Sequence, residues 1–370
     1  MTTKIQSRRI RFWVAGLLFA AGCSANPRSG NSATGGTNPS GDDEFQHLLS
    51  KLGELDTLAG AGKRQDDVNE WSDAFEDAQA VDVELSSPHS ALGDDDGNTY
   101  IADKDAHAIR MVRQDGILVT VAGLNVAGDD GNQPAPGRES HLNQPNGIWV
   151  KGDGTVYILD LGNEKIRRLD PEGTLTTLFV VPDLAEGRGL WVSEDETLVY
   201  VSSGTQLKRW RAEAGLDVYA DGFAELGNIW VDAEDQRTVY VTDRGAHRVY
   251  RVGADRQPEP IAGDGSASRT LRSAPALEAG LDGVRGIWRH ELGGLLLATH
   301  AGSQVLYLDT HGFIHLLVDG SKDAHAGDGK PVTTPGRKVS EVRSVTINPR
   351  GDLLVAEHDA GYVRIVHHEK

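Results

Sequence analysis

Cysteine is nearly missing from this chain: Cys23 is the only one in 370 residues. No disulfide can brace the folded body, so its stability has to come from packing and hydrogen bonds. Methionine is down to two and aromatic residues to 6%. No sustained 3.6-residue apolar stripe is evident either, which argues against a helical bundle. The longest apolar run, Phe12 to Ala21, is too short to span a bilayer comfortably. There is no Gly-x-Ser-x-Gly elbow, no phosphate-binding P-loop and no cysteine outside the N-terminus to serve as a nucleophile. Positive charge is scarce as well. Lys and Arg number 37 against 55 Asp and Glu, a formal net charge of −18, which opposes adhesion to nucleic acid or anionic lipid.

What is abundant is glycine, at 44 residues, and with it short apolar stretches divided by turn residues. The first 22 residues are of another kind. Lys4, Arg8, Arg9 and Arg11 precede the apolar run, and Ala20, Ala21 and Gly22 lead into Cys23. This is the layout of an export signal. The step into Cys23 resembles the lipobox of bacterial lipoproteins, with Ala20 where a leucine is usual, and "SRRIRFW" resembles a twin-arginine signal with its Phe displaced by one. The resemblance implies that Cys23 is lipidated and becomes the mature N-terminus. Residues 23–44, rich in Ser, Gly, Asn and Pro, read as a flexible tether. Cleavage before Cys23 would remove four basic residues, taking 37 Lys+Arg to 33 against 55 Asp+Glu, a net of −22.

The rest of the chain repeats itself, and a repeat has to be found before any fold is assigned. "NGIWV" at 146–150 returns as "RGLWV" at 188–192, "GNIWV" at 227–231 and "RGIWR" at 285–289. Aligned on the residue before this step, six units begin at His89, Asn146, Arg188, Gly227, Arg285 and Arg343. Each continues with a polar turn, a β-branched run such as "VYILD" at 156–160, a second turn and an alternating strand such as "HRVYRV" at 247–252. A fourth apolar stretch closes most units, as in "LVTVAG" at 118–123. Four short strands per unit, repeated six times, predict an all-β, six-bladed propeller over residues 45–370. The last unit stops after three strands, and "ELDTLAGAG" at 54–62 matches the missing fourth. An N-terminal strand that completes the last blade would close the ring and remove its open edges.

"DRGAHRVYRV" at 243–252 and "DKDAHAIRMV" at 103–112 resemble the NHL repeat, and the long linkers between units look like that family's connections. The resemblance implies the propeller. It does not choose a function, because NHL propellers include scaffolds, protein- and RNA-binding domains, extracellular sensors and lyases.

Four features could carry chemistry. Trp149, Trp191, Trp230 and Trp288 share one position on the innermost strand; we read them as packing between blades, the alternative being a stacking surface for a ligand. His89, Asn146, Arg188, Arg285 and Arg343 should gather at the channel mouth, where three arginines can hold a carboxylate or phosphate. The competing reading pairs them with the acids that end the second strands, Asp103, Asp160, Asp243 and Glu357. His89, His300 and His358 could share one face, as the zinc-binding histidines do in amidating-lyase propellers, but they show no local ligand signature, and no metal or cofactor is expected. "GDDDGN" and "AGDDGN" read as hairpin turns. Calcium-dependent lactonase propellers ring their channel with acidic and Asn ligands, whereas the mouth position here carries Arg, His, Asn and Gly. The basic third strands (Lys165, Arg167, Arg168; Lys208, Arg209, Arg211) read as solvated outer strands rather than an RNA surface.

These observations favour a monomeric module, lipid-anchored at the bacterial cell envelope on its periplasmic face or the cell surface. It would bind a protein or a small anionic ligand, touch no nucleic acid, and meet the membrane only through its anchor. The competing class is a metal-assisted lyase or hydrolase at the channel mouth, using His89, His300 or His358 with an arginine.

Overall fold

The computed structural model describes residues 41–62 and 68–369. The expected signal, Cys23 and the tether up to residue 40 lie outside the described residues. Residues 41–44, read as the end of the tether, instead begin a helix, Gly41–Leu49. Its Phe45 and Leu48 are buried in one hydrophobic cluster with residues of the fifth and sixth units. Glu44 draws it inward as well: the hydroxyl of Tyr307 donates to its carboxylate at 2.6 Å. The acidic stretch at 68–84 carries two single 3-10 turns, Asp73–Phe75 and Ala80–Asp82.

Six antiparallel sheets follow one another along the chain, and each of the six repeat units supplies one. Blade 2 is typical, with strands Pro145–Val150, Val156–Asp160, Lys165–Leu169 and Thr174–Val180 from the inside outwards. The expected ring closure is present. Leu52–Ala59 pairs antiparallel with the last strand, Tyr362–His368, so the first strand of the fold completes blade 6. In four blades the linker adds a two-residue strand outside the fourth: Ala78–Gln79, Ala135–Pro136, Ala274–Pro275 and Lys330–Pro331. Two residues carry no periodicity, and none of these was foreseen.

The glycine of the repeated step has a steric cause. A Cβ on Gly147 would lie 2.2 Å from the carbonyl oxygen of Arg188 in blade 3. The same atom on Gly189 would lie 2.8 Å from the backbone nitrogen of Ile229 in blade 4, and on Gly286 3.0 Å from Cα of Ser344 in blade 6. At these three steps the inner strands of successive blades approach too closely for a Cβ, and glycine permits it; the same position carries Ser90, Asn228 and Ser344 in the other blades.

Three residues along from the mouth position, the tryptophans also approach one another around the axis. The Trp149 ring lies 6.2, 6.1 and 5.8 Å from those of Trp191, Trp230 and Trp288, which come from blades 3, 4 and 5. Trp230 and Trp288 meet edge to face at 4.6 Å. The expectation of packing between blades holds, since Trp191 is buried among residues of blades 3 and 4 and Trp230 packs on a cluster of blades 4 and 5; in addition the four rings meet one another across the channel and plug it.

The acids that end the second strands also have other partners than expected. Asp103 pairs with Arg110, Asp160 with Arg167 and Glu357 with Arg364, each within its own blade. Asp243 accepts from the backbone N–H groups of Ala224, Glu225 and Ala246. Burial pushes the carboxyls of Asp103 and Asp160 up to about 6 and that of Glu357 up to about 8, with the arginines acting in the opposite direction. The third strands are solvated only in part: Lys165, Arg167 and Lys208 are buried, Arg168 and Arg209 are half-buried, and Arg211 is exposed. Arg168 and Arg209 pair with Glu196 and Asp217.

Candidate functional site

At the end of the axis where the inner strands begin, the six aligned residues form the channel mouth. Five of them take the second position of their strands, and Arg188 lies two residues before Leu190–Val192. Asn146 serves the ring itself. Its Nδ2 donates to the carbonyl of Gly187 at 2.5 Å, while its Oδ1 is buried with no partner in the protein. Gly227 contributes no side chain, and its carbonyl accepts from the Ser202 hydroxyl.

The charged members stand differently. Arg285 is 7% exposed, forms no ion pair among the described residues, and keeps Nε and Nη1 buried without a partner. Arg188 is 8% exposed; its Nε and Nη1 are likewise unpartnered, and its Nη2 lies 3.5 Å from Glu186. Burial, together with the nearby charges of Arg343 and Arg244, pushes the Arg188 guanidinium down to about 9. Three arginines thus ring the mouth, and none takes an acid from the end of a second strand.

His89 lies buried among these cations, its ring 4.4 Å from that of His358, and both its nitrogens lack a partner. Burial lowers its pKa well below the usual histidine value, and the positive charges of His358, Arg343 and Arg188 add to the shift. It is therefore neutral at physiological pH, with one N–H to donate and one lone pair to accept.

Blade 6 carries the densest chemistry. Arg343 Nη2 lies 3.1 Å from His358 Nδ1 and 3.5 Å from Asp359 Oδ1. Asp359 also bonds His358 and receives His300 Nε2 at 3.0 Å. Burial acts to raise the Asp359 carboxyl, yet the hydrogen bonds from both histidines and the Arg343 charge hold it far below the carboxylate range. Burial and the charge of Asp359, with which it shares a hydrogen bond, push Glu341 up to about 7. His300, His358 and Asp359 present ligand atoms within 4.8 Å of one another, close enough to hold one metal ion. Imidazole and carboxylate donors suit zinc.

Asp359, Glu341 and Glu186 were missed in the sequence. Asp359 was hidden by the repeat, since "HDA" at 358–360 echoes "KDA" at 104–106. The strand register also moves His300. Thr299, not His300, occupies the place of Asp103, so His300 and His358 are equivalent residues of adjacent blades. His107 and His247, read as structural, are so: their Nδ1 atoms accept from the backbone N–H of Gln144 and Gly283. Below the mouth, the channel narrows to about 20 Å³ of open space, room for about one water.

No family model matches the chain, so the NHL resemblance rests on the repeat residues themselves. Teneurin-3 from Danio rerio is 34% identical over 125 residues, which is 30% of this chain and 4% of that protein. The chain thus spans only a small fraction of the relative it matches. Among solved structures, a protein of unknown function from Bacteroides thetaiotaomicron superposes with a TM-score of 0.67 at 14% identity, covering 85% of this chain and 76% of that one. An auxiliary nutrient binding protein from the same organism gives 0.64 at 13%, covering 86% and 77%. A gluconolactonase from Xanthomonas campestris gives 0.56 at 12%, covering 87% and 92%. A streptogramin B lyase gives 0.50 at 13%, covering 78% and 95%. At such identities the fold alone is shared, and it serves binding proteins and enzymes alike.

Proposed function

We propose that this chain is an exported, lipid-anchored propeller of NHL type that binds the anionic end of a small ligand at its channel mouth. Arg285 carries the reading: a buried guanidinium with two unpartnered nitrogens and no carboxylate beside it is costly unless something pairs with it. Arg188, Arg343 and the neutral donor His89 stand around the same opening. Because the channel below holds about one water, only a carboxylate or phosphate group enters, and the rest of the ligand lies on the outer face. A nutrient-binding propeller of similar fold is consistent with this role.

Calorimetric titration of the purified protein with acetate, succinate, citrate and glycerol 3-phosphate tests it. At least one should bind, with affinity reduced about tenfold or more by Arg285→Ala, as the loss of a charge-assisted hydrogen bond requires. Binding indifferent to both Arg285→Ala and Arg188→Ala, or absent for all four anions, overturns the proposal. The cluster of His300, His358 and Asp359 supports a second reading, a metal-assisted lyase or hydrolase at the same mouth. Stoichiometric zinc in the purified protein, lost in His300→Ala, would favour that reading over simple binding. The anchor is tested separately: Cys23→Ser should release the protein from the membrane fraction, and retention there would refute lipidation.

A further inference from the structure

The opposite end of the axis has a different character. Four blades place Trp149, Trp191, Trp230 and Trp288 across the channel, while the matching positions of blades 1 and 6 carry Leu92 and Thr346. Thr346 is short and turned away, its hydroxyl donating to the carbonyl of Ala91 at 2.6 Å. A cleft of about 560 Å³ opens beside Trp230 and Trp288, lined on the blade 6 side by Ile347, Asn348 and Arg350. This volume lies within the range of small-molecule sites.

The lining narrows the ligand class. The floor is two partly exposed indoles set edge to face, which match a flat, weakly polar molecular face. The rim carries Arg289, Arg350 and Glu291. The side chains of Arg289 and Glu291 form no hydrogen bond or ion pair among the described residues, so a guanidinium donor and a carboxylate acceptor remain for a ligand. The rim carries both signs, so hydrogen-bond donors and an acceptor face a ligand together. A neutral ring with one C–H face and a fringe of hydroxyls, each both donor and acceptor, uses every one of these groups.

We infer that this cleft binds a neutral pyranose of an oligosaccharide, its ring face on Trp230 and Trp288 and its hydroxyls bonded to Arg289 and Glu291. The site is separate from the channel mouth, because the tryptophan plug lies between them. It stands whether or not an anion binds there.

The test is calorimetric titration of the full chain with maltohexaose, cellohexaose, laminarihexaose and chitohexaose, and with tri-galacturonic acid as the charged control. At least one neutral oligosaccharide should bind, and Arg289→Ala and Glu291→Ala should each weaken it about fivefold or more. Trp288→Ala should abolish binding. The two rim variants lie on the surface and keep the test valid if Trp288→Ala fails to fold. Arg285→Ala, at the far end of the axis, should leave sugar binding unchanged. The inference is overturned if no neutral sugar binds, if tri-galacturonic acid binds more tightly than all four, or if bound sugar ignores both rim substitutions.

Discussion

The two ends of the propeller axis are built from one strand repeated six times, yet they offer opposite chemistry. At the mouth, guanidinium and imidazole groups are crowded and buried above a channel with about 20 Å³ of open space. At the other end, indoles floor a cleft of about 560 Å³ with a rim of mixed charge. The difference comes from where the repeat is broken. The mouth position changes from blade to blade through His89, Asn146, Arg188, Gly227, Arg285 and Arg343. Three residues further along, tryptophan is kept four times and lost in Leu92 and Thr346. Variation concentrates charge at one end, and at the other a cleft opens beside two of the four indoles.

The sharpest way to break this comparison is to ask whether all four tryptophans do the same work. Trp191 is 5% exposed and packs on Trp149 and Tyr200, whereas Trp288 borders the cleft. Trp191→Ala should destabilise the fold by about 3–5 kcal/mol, the usual range for a buried aromatic. Trp288→Ala, already in part facing solvent, should cost roughly half as much. Urea unfolding of the two variants measures the difference. Equal losses would show the plug to be uniform and the cleft wall to be ordinary core.

Much of the frame was legible. Six recurrences of the inner strand fixed the blade count, and "ELDTLAGAG" announced the strand that closes the ring. Strand alternation says which face a side chain takes but not how far it leans, so the meeting of Trp149 with Trp288 across the axis was out of reach. The buried ion pairs were within reach and overlooked. Asp103 and Arg110, Asp160 and Arg167, and Glu357 and Arg364 share a spacing of seven residues, and blade 5, with Thr299 for the acid, has Leu306 in place of the arginine. There acid and base leave together, whereas blade 4 keeps Asp243 with Tyr250 in the arginine's place and satisfies the carboxylate with three backbone N–H groups. The mouth was legible as a set of positions. The union of Glu341, Asp359, His300 and His358 depends on a linker approaching two blade turns, and no local spacing records that.

A smaller effect separates the two ends by pH. Glu341 holds its proton up to about 7, against an ordinary value of 4.5, because burial and the Asp359 carboxylate both oppose its ionisation. Raising the pH through 7 therefore adds negative charge beside Arg343 at the mouth. Anion affinity there should fall a few-fold between pH 6 and pH 8, and Glu341→Gln should flatten the profile. Stability carries the same sign. The folded state binds this proton more tightly than the unfolded chain, so the contribution is full below 4.5 and is lost as pH rises through about 7. At the cleft, burial lowers the His290 pKa and favours its neutral ring, so sugar affinity should change less than anion affinity. Calorimetry of both ligands at the two pH values reads the contrast directly. A parallel fall at both ends would mean that the whole acidic surface is responsible, and not the proton on Glu341.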